Sequence, residues 1–211
     1  MADSTLTQKA ILTTLDRLYD YAVNGGAASI GLATAPDLAS SYRTQAGSAD
    51  AAARKLVRWQ TGKAATAGFV TNLGGIATLP VAVPANLTSV LYIQLRMVAA
   101  IADLSGHDLQ DDRVQTLAFA CLTGKSTADL LKRAGVVAGK KLYVAGVKRI
   151  AGATLTKINK AVGFRLVTKF GKTGVVNLGK GVPLIGGIVG GGFDGGSTYA
   201  VGKAARNLFR P

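Results

Sequence analysis

The sequence contains no glutamate, a single histidine, His107, and a single cysteine, Cys121. Without glutamate and with one imidazole, the usual His-rich metal sites and most paired acid–base arrangements are excluded. A nucleophile pair of Cys121 and His107 would need both at one place. The plainer reading makes His107 a cap or loop residue and Cys121 part of the core. One cysteine cannot form an internal disulfide, which fits a reducing compartment. The opening MADSTLTQKA places Asp3 before Lys9 and has no apolar h-region, so no secretory signal is expected and the expected compartment is the cytoplasm. No segment sustains the alternation of a half-buried strand, which predicts an all-α fold. Asp108, Asp111 and Asp112 lack the glycine and terminal glutamate of an EF-hand and read as helix caps. No catalytic residue, cofactor or metal site is identified, which weighs against an enzyme.

Acid is scarce overall and nearly absent from the second half. Lys and Arg number 25 against 11 acids, giving a net charge of +14 and a pI near 10.2. Residues 1–112 are balanced, whereas residues 113–211 carry only Asp129 and Asp194 as acids, and no acid lies between Lys132 and Lys180. Such a run repels itself unless an anionic partner or broad solvation relieves it. The candidate anionic-lipid contacts are Lys132, Arg133, Lys140, Lys141, Lys148 and Arg149. Nucleic acid is a weaker candidate partner, because the basic region has few aromatics and no base-reading motif. With 48% hydrophobic and 17% charged residues, 211 residues give a folded chain with a sizeable core.

Against that background stand two apolar stretches. Ala64 to Leu95 carries no charge, and the apolar pattern continues past Arg96 to Asp103. Pro80 and Pro84 break it, predicting two helices with an interruption at about 74–83, the second opening near Pro84. Its length suits either a bilayer-entering segment or the central helix of a core. The second stretch, Gly181 to Gly202, has Asp194 as its only charge. Gly190, Gly192 and Gly195 match G-x-G-x-x-G, but no βαβ unit can be built around them. Read instead at four-residue spacing, Gly187, Gly191 and Gly195, and likewise Gly192, Gly196, Ala200 and Ala204, line small faces that let another helix approach closely. Gln94 and Arg96 in the first stretch and Asp194 in the second need water, lipid headgroup or opposite charge. The favoured pairing is Arg96 with Asp194; the alternative puts Arg96 on a wet helix face and Asp194 at a glycine turn.

In chain order, residues 5–24 have helical spacing and stop at Gly25 and Gly26. Pro36 starts a short helix, and Ser48 caps a third that runs toward Gly74 and Gly75. Gly106 is a C-cap, Asp111 or Asp112 an N-cap, and Gly124 a terminator. Ser126 and Asp129 have the spacing of a capping box. Gly124-Lys125-Ser126 resembles the end of a P-loop, but Phe119 stands where that loop needs glycine. Residues 139–170 read as basic amphipathic helices. The expected organisation is an N-terminal helical extension, 1–47, and a helical domain, 48–211. This domain would be a compact bundle with a central apolar helix and a Gly-rich C-terminal helical hairpin.

LGGIATLPVAVPANL at 73–87, QLRMVAAIADLSGHDL at 94–109, VPLIGGIVGGGFD at 182–194 and the ending Ala204-Ala205-Arg206-Asn207-Leu208-Phe209 together resemble the bacterial EcsC family. The likeness runs from about residue 53 to 209. It implies a helical, membrane-related protein, linked in some members by gene neighbourhood to an ABC transporter, and supplies no catalytic residues. The expected function is that of a membrane-associated, lipid-contacting protein with an accessory role, peripheral to or partly inserted in the inner membrane from the cytoplasmic side. Its expected partners are an anionic membrane surface and a membrane transporter or secretion component. The alternatives are a membrane-permeabilising effector or a nucleic-acid-binding basic protein.

Overall fold

The computed structural model describes residues 7–26, 32–65, 83, 85–136, 143–178 and 186–209, with backbone only at 63–65, 85–86, 171–178 and 186–194. These residues form α-helices and, among them, no strand, as the missing alternation predicts.

Local chemistry sets the first three starts. In α1 (Gln8–Asn24) Thr7 Oγ1 accepts the Ala10 amide at 3.1 Å, and Gly25 (φ 76°) ends the helix. In α2 (Ala35–Thr44) Thr34 and Asp37 form a reciprocal capping box, with Pro36 in the first turn. In α3 (Ala49–Ala65) Ser48 Oγ accepts the Ala51 amide at 3.2 Å, the cap expected from its position.

The apolar stretch after Pro84 forms α4 (Ala85–Leu104), and this helix is the centre of the fold. Leu87–Leu104 is long and apolar enough to cross a membrane, yet 83% of it is buried inside the protein. It ends as a Schellman motif. Gly106 takes φ 77°, its N–H reaches Asp103 O at 2.9 Å, and His107 N–H reaches Ala102 O at 3.1 Å. Helices α1, α2 and α3 surround α4, so one core runs from Ile11 to Phe209. The expected break at 74–83 and the stop at Gly74 and Gly75 lie almost wholly outside the described residues.

Asp111 caps α5 (Asp112–Cys121), its Oδ1 accepting the Arg113 amide at 2.8 Å. The capping box at Ser126 does not form. A 3-10 turn at Gly124–Ser126 runs directly into α6 (Thr127–Arg133), which leaves Ser126 in helical geometry with its amide bonded to Thr123 O. Asp129 is thereby freed for arginines. Gly135 (φ 91°) closes α6 with a second Schellman pair to Lys132 and Leu131. After the single turn α7 (Val144–Val147), α8 (Gly152–Leu178) packs on α1 and α5, burying Ile158, Val162 and Leu166.

The glycine-rich segment is helical, forming α9 (Gly186–Leu208), and its main neighbour is α3, followed by α4 and the 3-10 turn. Gly195, Thr198, Gly202 and Ala205 lie buried on one side. The connection 179–185 that would make α8 and α9 a hairpin lies outside the described residues.

Candidate functional site

The buried residues Leu130 and Leu131 turn one side of α6 to the core. Helical spacing therefore places Lys125, Ala128, Asp129, Lys132 and Arg133 on an outward ridge, all exposed. Asp129 is the one acid on that ridge. It accepts from Arg133 Nε at 3.1 Å and from Arg165 at 2.9 Å. The hydrogen bond from Arg133, and then that from Arg165, hold its carboxyl below the usual carboxylate range.

A groove flanks the ridge on each side. Between α6 and α8 a cavity of about 610 Å³ is lined by Arg133, Phe164, Arg165 and Lys169 over Leu130 and Leu166. Between α6 and α9 a second, of about 580 Å³, is lined by Lys125, Tyr199, Lys203 and Asn207 over Leu131 and Ala200. Phe164 is 60% exposed and Tyr199 55%, one large ring in each groove. On α8, Lys157, Lys160 and Phe164 share an outward stripe; on α9, Tyr199, Lys203 and Asn207 share another.

Of the candidate lipid contacts read from the sequence, Lys132 and Arg133 are on this ridge. Lys148 and Arg149 are exposed at the turn that follows α7 and line neither groove. Lys140 and Lys141 lie outside the described residues. The sequence reading gave no site role to Phe164, Arg165, Lys169, Tyr199 and Lys203, and met Lys125 only in a P-loop-like match. The usable signal was the four-residue spacing of Lys160, Phe164 and Thr168, and of Tyr199, Lys203 and Asn207.

The polar residues of α4 occupy two different sides of it. Gln94 donates to Ser197 Oγ at 2.9 Å and Thr198 Oγ1 at 3.2 Å, tying α4 to α9. Arg96 is 4% exposed, so the wet-face alternative is overturned. It donates to Ala33 O at 3.0 Å, and its guanidinium lies 5.4 Å from the Tyr92 ring centroid. Desolvation lowers the pKa of Arg96, opposed by Tyr92 and Tyr42. The side chain of Asp194, the proposed partner, lies outside the described residues; Gly187 and Gly191 fall in the part of α9 described by its backbone alone, and Gly195 is buried.

Cys121 is fully buried, and burial pushes its thiol far up, so it is a core side chain rather than a thiolate. His107 is buried edge-on against Phe209, with ring centroids 5.1 Å apart. Asp108 accepts the Gln110 amide at 2.9 Å, a turn role matching the capping role of Asp111. Among the described residues, no group of three or more His, Cys, Asp or Glu side chains could hold a metal ion.

The sequence model of the EcsC protein family matches residues 7–211, nearly the whole chain, and the protein therefore belongs to that family. The match includes α1 and α2, ahead of the quoted stretches. No curated protein and no solved structure matches the chain.

Proposed function

For an EcsC-family chain built in this way, we propose a peripheral membrane protein that meets anionic lipid through the basic surface around α6, from the cytoplasmic side of the inner membrane. The observation that carries this reading is a contrast within the fold. The one described helix both long and apolar enough to span is mostly buried, while most described cations of the second half are exposed, with Asp129 as the only acid on the α6 ridge. Near an anionic leaflet each Lys or Arg contributes about 1 kcal/mol, so a cluster is enough for reversible attachment without an inserted helix. An accessory role beside a transporter or secretion component follows from the family resemblance, and among the described residues no constellation of reactive groups argues for catalysis.

Permeabilisation fits less well, because α4 would have to leave the core that it organises. The reading is tested by co-sedimentation with neutral and with anionic vesicles across a salt series. Attachment should require anionic lipid and fall as salt rises, because the Debye length shrinks from about 10 Å at 0.1 M to about 3 Å at 1 M. Equal binding to neutral vesicles, or stronger binding to duplex DNA at the same salt, would overturn it.

A further inference from the structure

We infer that the α6 ridge and its two grooves form a two-sided seat for anionic glycerophospholipid in a bilayer, with Phe164 and Tyr199 entering the interface on either side of the ridge. The inference rests on the peripheral reading above and names the surface and the groups that perform it.

Charge selects the ligand class. Arg133, Arg165 and Lys169 line one groove, Lys125 and Lys203 the other, and among the described residues no acid lines either. Asp129 stands on the ridge between them and is engaged by Arg133 and Arg165. Arg133 reaches Asp129 through Nε, which leaves the terminal nitrogens of its fork for a phosphate oxygen. The same cations argue against a second copy of this chain as the occupant, since two such ridges would repel.

The rings select a bilayer over other polyanions. Amphipathic aromatics are favoured at the headgroup level, where a ring enters the interface while neighbouring cations stay with phosphate. Phe164 and Tyr199 occupy separate grooves with α6 between them, whereas single-stranded nucleic acid needs rings on which successive bases stack. The groove floors are apolar, with Leu130 and Leu166 on one side and Leu131 and Ala200 on the other. That suits the glycerol and upper acyl region beneath a headgroup.

The test uses the full chain and vesicles of phosphatidylglycerol and phosphatidylcholine. Phe164→Ser with Tyr199→Ser keeps every charge, and both rings are more than half exposed, so the melting temperature should stay near that of the unaltered chain. Vesicle affinity should fall about tenfold or more, equivalent to about 1.4 kcal/mol. Phe164→Trp with Tyr199→Trp should retain binding and shift its tryptophan emission to the blue on adding vesicles. Lys125→Gln with Lys132→Gln, Arg133→Gln and Lys203→Gln should abolish binding at moderate salt, while Lys148→Gln with Arg149→Gln, off the ridge, should weaken it much less. If the unaltered chain binds anionic vesicles and the serine variant binds equally well, the seat is wrong and the peripheral reading survives. If the unaltered chain does not bind vesicles, or prefers duplex DNA, both fall.

Discussion

Gly202 faces Val57 so closely that a Cβ at residue 202 would lie 2.7 Å from both Val57 methyl carbons and 3.2 Å from the Met97 methyl. The contact fixes how near α9 comes to α3, and Val57 cannot easily yield because a β-branched side chain in a helix keeps essentially one rotamer. Gly202→Ala should therefore destabilise the protein by about 1–3 kcal/mol, the cost of over-packing exceeding the helix propensity gained. Gly196→Ala is the internal control: nothing lies within 4 Å of its added methyl, and a gain of up to about 1 kcal/mol is expected. Denaturant melts of the two variants check both signs.

Arg96 is a buried cation held by one carbonyl and the face of Tyr92. Arg96→Met keeps the volume and removes the charge, so it should be near neutral, within about 1–2 kcal/mol, whereas Arg96→Ala should cost more by leaving a cavity. Helix α9 meets the Gln94 side of α4, and Arg96 faces Ala33 on the way into α2. Arg96→Met and Asp194→Ala should therefore be additive in a double-mutant cycle; a coupling of more than about 0.5 kcal/mol would establish the buried pair expected from sequence.

Thr34 and Asp37 give a pH-dependent prediction. The Thr34 side chain and then its backbone amide hydrogen-bond the Asp37 carboxylate and lower its pKa. Because the folded value lies below the unfolded one, this contribution is fully present above the ordinary Asp range and is lost as pH falls through the folded value. Thr34→Ala should cost about 1 kcal/mol at neutral pH. It should also return the Asp37 titration, followed by NMR, toward the ordinary value.

Cys121 is fully buried with its thiol pushed up. A thiol-disulfide reagent at mildly alkaline pH should label it only in denaturant. Rapid labelling of the native protein would show that the core around α5 opens readily.

What could be read from sequence follows the range of the physics involved. Helix starts set by neighbours, at Ser48, Asp111 and Pro36, were legible because a cap is satisfied within three residues. The Gly106 stop was legible for the same reason. Ser126 shows the limit: its spacing to Asp129 is that of a capping box, but the preceding 3-10 turn had already committed its backbone. Gly202 stands outside the four-residue glycine series because it sits two turns, not one, beyond Gly195. Lys132 and Arg133 belong to the basic run visible in the sequence, and both are exposed on the α6 ridge. Phe164 and Tyr199 come from helices far apart in the chain, and only the packing of α8 and α9 beside α6 makes them one surface. The centrality of the apolar stretch was evident, but its place as core rather than span depended on α1, α2 and α3 closing around it.

The most direct test of peripheral attachment is to wash isolated membranes carrying the full chain with a salt series up to about 1 M, where charge attraction is screened beyond about 3 Å. Release into the supernatant without detergent is expected, with the protein folded and its melting curve matching that of the purified protein. Retention through the salt wash with a protease-protected fragment containing Leu87–Leu104 would contradict peripheral attachment, because α4 would then lie in the bilayer instead of the core.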